Sequence, residues 1–156
     1  KRIKNEFTSN RNRKIIMRVI GLDLGSKTVG VAVSDFLWII ANPIGTLSIE
    51  ENDLNQALEL VKNVVKEQNA EKIVLGLPKN MNGTIGYQAE YCLKFKEMLE
   101  QELKLQVIMI DERMTSKMAH NTMLKADMSR NKRKQNVDKL AATIILQTYL
   151  DSMPRY

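Results

Sequence analysis

Residues 18–34 read RVIGLDLGSKTVGVAVS. Two mostly apolar runs, Arg18 to Leu24 and Val29 to Ser34, are separated by a turn at Gly25, Ser26 and Lys27, with Thr28 before the second run. That spacing suits two strands joined as a hairpin by a glycine-containing turn. Asp23 interrupts the first run, at a place where a carboxylate is expensive unless it is paired or bound to a cation. Downstream, the apolar stretch Leu37 to Leu47 carries Pro43 and Gly45 and reads as a third strand at a sheet edge, where a missing amide donor is tolerated. Asp53 then caps a helix with Leu54, Ala57, Leu58, Val61 and Val64/Val65 on one face.

The remainder alternates strand and helix. Lys72 to Leu77 (KIVLGL) is a short apolar run ended by Pro78, as in a central parallel strand. Lys79 to Gly86 is a polar turn, and Tyr87 to Leu103 is a helix with Tyr91, Phe95, Met98 and Leu99 facing inward. Gln106 to Ile110 is a further buried strand running into Asp111, Glu112 and Arg113. Ser116 to Leu124 reads as helical, and Met128 to Val137 as a loop, being polar and basic. Asp138 then opens a final helix with a stripe of Leu140, Ala141, Ile144, Ile145 and Leu146 or Thr148. A meander followed by strand–helix repeats implies one α/β domain, a mixed five-stranded sheet of three antiparallel strands then two parallel ones, with helices on both faces and the Arg18 to Leu24 strand central.

The chain has 156 residues, 44% hydrophobic and 27% charged, a composition that fits one globular domain. The apolar runs are too short to span a bilayer. A single cysteine, Cys92, has no partner for an internal disulfide and reads as core, which suits a reducing, cytoplasmic setting. The net charge of +6 is uneven: residues 1–16 hold six Lys/Arg and one Glu, whereas the rest holds 18 basic and 17 acidic residues. Residues 1–16 (KRIKNEFTSNRNRKII) read as a basic extension outside the fold and residues 17–156 as the domain. Within the domain, Arg113 to Lys139 holds eight basic residues and two acids. Such a stretch either binds phosphate or forms a solvated loop.

Asp23, the Asp111/Glu112 pair and Asp138 each break an apolar pattern at an element's end. Taken singly, each has a structural role: Asp23 accepting turn amides, Asp111 and Glu112 pairing with Arg113, and Asp138 favoured by a helix dipole. Converging at one edge of the sheet, they would repel unless a cation stood between them. Hard oxygen ligands with neither His nor Cys beside them suit Mg²⁺ or Mn²⁺.

Four blocks together resemble the YqgF/RuvX family of RNase H-like nucleases: GLDLGSKTVGVAVSD (Gly21 to Asp35), VLGLPKNMNG (Val74 to Gly83), DERMTS (Asp111 to Ser116) and VDKLAATIILQTYL (Val137 to Leu150). The resemblance implies an RNase H-like fold and metal-dependent hydrolysis of phosphodiester bonds. It points to maturation of the 5′ end of the pre-16S ribosomal RNA, with Holliday-junction resolution as the alternative substrate class. By motif, Asp23 corresponds to the acid of the first strand, Glu112 with Asp111 to the acidic pair, and Asp138 to the acid of the last helix. Lys27, Arg113 and Thr115 match positions that touch nucleic-acid phosphates, and the basic residues Arg130, Lys132 and Arg133 would hold flanking backbone. Thr28 stands where many members carry arginine, and Ser116 replaces a second threonine.

Two classes of function follow. One is a Mg²⁺- or Mn²⁺-dependent nuclease acting on pre-rRNA or branched DNA, in contact with ribosomal particles and away from membranes, as a monomer or weak dimer. The other is a non-catalytic RNA-binding assembly factor, suggested by the lack of an acid at the end of the Lys72 to Leu77 strand. A phosphate-binding ATPase ranks last, because that architecture needs two such domains around a cleft. With aromatic residues at 5% and scattered, there is no platform for stacking along a single strand, and backbone electrostatics would dominate binding.

Overall fold

A computed structural model describes residues 17–113 and 130–154 of the chain, with side chains of the second stretch described from residue 140 onward. Five strands, β1 (Arg18–Leu24), β2 (Thr28–Ser34), β3 (Ala41–Ser48), β4 (Ala70–Leu77) and β5 (Gln106–Asp111), form one sheet in the order β3-β2-β1-β4-β5. β1 pairs antiparallel with β2 and β2 with β3, while β1–β4 and β4–β5 are parallel. The expected mixed sheet with β1 at its centre is therefore present.

The side chains of β1 alternate between two cores. Ile20, Leu22 and Leu24 face helices α1 (Leu54–Gln68) and α2 (Tyr87–Leu103), among Val61, Ile73, Leu75, Phe95 and Leu99. Val19 faces the other way, into a smaller core with Val74 and with Ala142, Ile145, Leu146 and Leu150 of helix α3 (Arg130–Ser152). Helices thus cover both faces, and the period of two along β1 sorts one core from the other. Asp53 caps α1 as expected, its carboxylate accepting from the Gln56 N–H at 3.0 Å. Asn69 and Lys104 close α1 and α2 in the left-handed conformation.

Three expectations need correction. β3 starts at Ala41, not Leu37, because Asp35 folds residues 35–40 into a loop: its Oδ1 accepts from the Ile39 and Ile40 N–H groups at 2.7 and 3.1 Å. Trp38 adopts a positive φ of 59° there and donates its indole N–H to the Met17 carbonyl. Secondly, Met128 to Val137 is not all loop: α3 begins at Arg130, so Asp138 lies inside the helix rather than at its start. Lys and Arg are good helix formers, and a polar helical turn needs no core when it extends a packed helix. Thirdly, the buried stripe of α3 runs through Ala141, Ala142, Ile145, Leu146 and Leu150, while Thr148 is exposed. The expected helix at Ser116 to Leu124 lies outside the described residues.

α3 approaches β1 most closely at Gly21. A Cβ on Gly21 would stand 2.6 Å from Leu146 Cβ and 2.9 Å from the Ala142 carbonyl oxygen. Both are fixed parts of the helix, so the absence of a side chain sets the spacing of helix and sheet. Gly21→Ala is expected to lower stability by about 1–3 kcal/mol through overpacking, read as a lower urea midpoint at unchanged slope. Gly45→Ala, in the edge strand with nothing within 4 Å of its would-be Cβ, is the control and should leave the midpoint nearly unchanged.

Candidate nuclease site

Gly21 leaves the face of β1 under α3 without a side chain at the helix's closest approach. Asp23 stands two residues further along β1, on the same face by strand alternation. Its antiparallel partner on β2 is Gly30. On the other side, Leu22 is in register with Leu75 of β4, so the next residue of β4, Gly76, flanks the next residue of β1, Asp23. Glycines therefore border Asp23 on both neighbouring strands.

Glu112 fills the space above Gly76. A Cβ on that glycine would lie 2.6 Å from Glu112 Cδ, 2.8 Å from its Cγ and 2.7 Å from Ile145 Cδ1 of α3. Glu112 follows the end of β5 and reaches back over β4, where its carboxyl hydrogen-bonds with that of Asp23. It is buried, while Asp23 is half-buried. Burial pushes the Glu112 carboxyl above its ordinary pKa; the hydrogen bond with Asp23 opposes the rise, and the charge of Asp111 adds to it. Two carboxylates this close repel when both are ionised, so the contact favours a proton or a cation between them.

Asp111 takes no part in that contact. Ile110 packs into the α3-side core, so strand alternation turns Asp111 to the opposite face. There it holds Arg113: Arg113 Nε donates to Oδ2 at 2.9 Å and to Oδ1 at 3.1 Å, and Nη2 donates to Oδ2 at 2.6 Å. These hydrogen bonds hold the Asp111 carboxyl below the usual carboxylate range. Of the expected acidic pair, one member joins Asp23 and the other binds a guanidinium.

Lys27 is exposed in the β1–β2 turn, which is anchored from outside. Carbonyls of Leu24, Gly25, Ser26 and Lys27 accept from Gln88 Nε2, Tyr91 Oη, Asn52 N and Ile49 N respectively. Asp138 lies in α3 one turn before Ala142, which packs on Gly21; its side chain is outside the described residues. So are those of Arg130, Lys132 and Arg133, which belong to the first turn of α3. Thr115 lies wholly outside them. Among the described residues no three His, Cys, Asp or Glu side chains gather as a metal-sized group; the carboxyls that meet are Asp23 and Glu112.

Cys92 of α2 is buried in the larger core, as expected. Burial pushes its thiol up to about 12, with the Glu112 and Asp23 charges adding to the effect, so it stays protonated and unreactive. The residue that sequence reasoning missed is Gly76. Its signal was a glycine inside an otherwise apolar strand, which marks a close approach by another group.

This site geometry accompanies a clear kinship. Residues 17–152 match the RuvX family, described as Holliday junction resolvases. The chain belongs to the RuvX family. Relatives from Listeria monocytogenes serotype 4b (strain F2365) and Bacillus cytotoxicus, each named "Putative pre-16S rRNA nuclease", are 51% and 50% identical over 136 residues, covering 87% of this chain and 99% of their own. Among solved structures, Thermus thermophilus RuvC in complex with a Holliday junction substrate aligns at a TM-score of 0.56 and 14% identity, over 87% of this chain and 97% of that one. Fowlpox virus resolvase with Holliday junction DNA aligns at 0.58 and 13%, over 89% and 100%. At these identities the likeness is one of fold. The expectation of an RNase H-like nuclease of this family holds. Among the described residues, no helix is long and apolar enough to cross a membrane.

The raised pKa of Glu112 has a consequence for stability. The folded protein binds this proton more tightly than the unfolded chain, whose glutamate titrates near ~4.3. The stabilisation is therefore complete below that value and is lost as pH rises through the folded one. In metal-free buffer, Glu112→Gln should melt above the wild type at pH 8 and close to it at pH 4. An equal difference at both pH values would contradict the burial of this carboxyl.

Proposed function

We propose that this RuvX-family chain is a divalent-metal-dependent nuclease acting on the precursor of 16S ribosomal RNA, with Asp23, Glu112 and Asp138 as its metal ligands. The observation that carries this reading is the Asp23–Glu112 contact over Gly76. Two carboxyls held together in a half-buried niche are poised to exchange a shared proton for a cation. Their all-oxygen donor set matches Mg²⁺ or Mn²⁺. Gly76 supports the fit, since any side chain there would push Glu112 off the sheet.

When bound, the cation supplies Lewis acidity toward the scissile phosphate and offsets charge built up in hydrolysis. The chain's own groups do the rest. Asp23 is fixed by the central strand, and Glu112 by the glycine floor and Ile145, so the two ligands meet the substrate without rearrangement. Lys27, on a turn whose carbonyls are tied outward, would bring an ammonium to the phosphate. Arg130, Lys132 and Arg133 on the first turn of α3 would hold flanking phosphates and make affinity fall with salt.

The names of relatives at about half identity favour ribosomal RNA as substrate, which would bring the protein to assembling ribosomal particles. The family's description favours branched DNA as the second reading. Incubating the pure protein with Mn²⁺ and, in parallel, a ribosomal precursor RNA and a four-way DNA junction separates them by product. Asp23→Asn should abolish cleavage of either while leaving the unfolding midpoint near that of the wild type. Asp138→Ala should lose most Mn²⁺ affinity in a titration. Full cleavage by Asp23→Asn, or unaltered Mn²⁺ binding by Asp138→Ala, would contradict the assignment. A wild type that binds RNA and cleaves nothing would leave the non-catalytic assembly factor.

A further inference from the structure

The parallel pairing of β1 with β4 places the start of α2, which follows β4, at the carboxyl end of β1. β3 runs parallel to β1 through two antiparallel pairings, so α1, which follows β3, also starts at that end. Open α/β sheets bind their ligands in the crevice outside these strand ends. Between the start of α1 and α2 there is such a crevice, a cavity of about 470 Å³ lined by Asn52, Asn55, Tyr87, Glu90, Tyr91 and Lys94. Small-molecule pockets usually span roughly 300–1,000 Å³. None of these six side chains enters the nuclease chemistry above.

The cavity is joined to the β1–β2 turn by two of its lining residues. Tyr91 Oη donates to the Gly25 carbonyl at 3.4 Å, and the Asn52 N–H to the Ser26 carbonyl at 2.7 Å. Gly25 is two residues past Asp23, roughly 7 Å along the strand. The thiol of Cys92, next to Tyr91 in α2, is raised first by burial and then by the charges of Glu112 and Asp23. This turn of α2 is therefore within electrostatic reach of the carboxyl pair. The pair and the cavity lie on either side of one turn, the pair toward α3 and the cavity toward α1 and α2, with exposed Lys27 on the turn between them. A strand with its phosphate at the pair would cross Lys27 and reach the cavity within about two nucleotides, at ~3.4 Å of rise each.

Two tyrosine rings line the cavity, and Tyr87 is 74% exposed. Two rings are too few to track a strand, but they are enough to stack on one base. Glu90 and Lys94 stand four residues apart on α2, the spacing and order at which a glutamate and a lysine pair best. Among the described residues the ion pairs are Lys62–Glu102, Lys96–Glu100 and Asp111–Arg113. Glu90 and Lys94 are not joined, so an acceptor and a donor are both available at the cavity wall. Guanine alone among the four bases carries two adjacent N–H donors beside a carbonyl acceptor on its pairing edge. A carboxylate can accept from both donors while an ammonium donates to the carbonyl.

Resting on the nuclease reading, we propose that this cavity seats an unstacked guanine of the RNA strand next to the cleaved phosphate, stacked on Tyr87 and read by Glu90 and Lys94. Cleavage then favours sites flanked by an unpaired guanosine.

The test is fluorescence anisotropy in metal-free buffer, with a labelled oligouridine carrying one central guanosine and the same strand carrying adenosine instead, for wild type, Tyr87→Ala and Glu90→Gln. Wild type is expected to bind the guanosine strand roughly fivefold or more tightly, the low end of what a bidentate base contact is worth. Glu90→Gln should bind the two strands alike. Tyr87→Ala should bind the guanosine strand roughly fivefold or more weakly than wild type. Both replaced side chains are exposed, so the unfolding midpoints should match that of the wild type. Equal wild-type affinity for the two strands, a preference kept by Glu90→Gln, or an unweakened Tyr87→Ala overturns the proposal. Mn²⁺-dependent cleavage of the ribosomal precursor RNA is scored separately. Cleavage with no guanosine preference in binding defeats the cavity alone, and a Glu90-dependent preference without cleavage defeats the nuclease reading alone. Binding of neither strand without cleavage defeats both.

Discussion

A carboxyl group placed over a strand with no side chain is the contact on which the rest of this site depends. Glu112 lies over Gly76 and meets Asp23 there. Taking a carboxyl from water and setting it against another acid is costly. The fold sustains the arrangement because the sheet beneath is made of fixed backbone, while Ile145 of α3 closes one side. Remove the glycine floor and nothing would hold the two groups together.

The same packing explains why α3 matters beyond its share of the core. Its contact with Gly21 brings helix backbone closer to β1 than a side chain would allow. That contact fixes the helix along the strand that carries Asp23 and sets the height of Ile145 above Glu112. Close packing of Ala142 and Leu146 and the geometry of the acidic pair are thus one constraint seen at two points. Strand alternation adds the selection between neighbours: Ile110 faces α3, Asp111 turns away to hold Arg113, and Glu112, past the strand's last residue, returns to the α3 side.

Much of this was legible in the residues. The hairpin around Gly25, the helix at Tyr87–Leu103 and the central place of β1 followed from apolar periodicity and turn chemistry, which are local signals. The start of α3 was not, because Arg130–Gln135 is polar all round and its helicity extends from packing further along. The start of β3 was missed because one side chain, Asp35, bends an apolar run that otherwise reads as strand. At the site, Asp23 and the Asp111/Glu112 pair stood out, yet which of the pair faced Asp23 depended on where β5 ends. The lack of an acid at the end of β4 suggested an inactive protein. In the structure Gly76 takes that place, and a glutamate from the adjacent strand's end occupies the space it leaves.

The central claim is that Asp23 and Glu112 share a hard divalent cation. The most direct measurement is anomalous diffraction at the manganese edge from crystals soaked in Mn²⁺. The account predicts a peak between the Asp23 and Glu112 carboxylates, beside the turn of α3 that holds Asp138. A fully soaked crystal with that position empty, or with manganese bound only elsewhere, would contradict it.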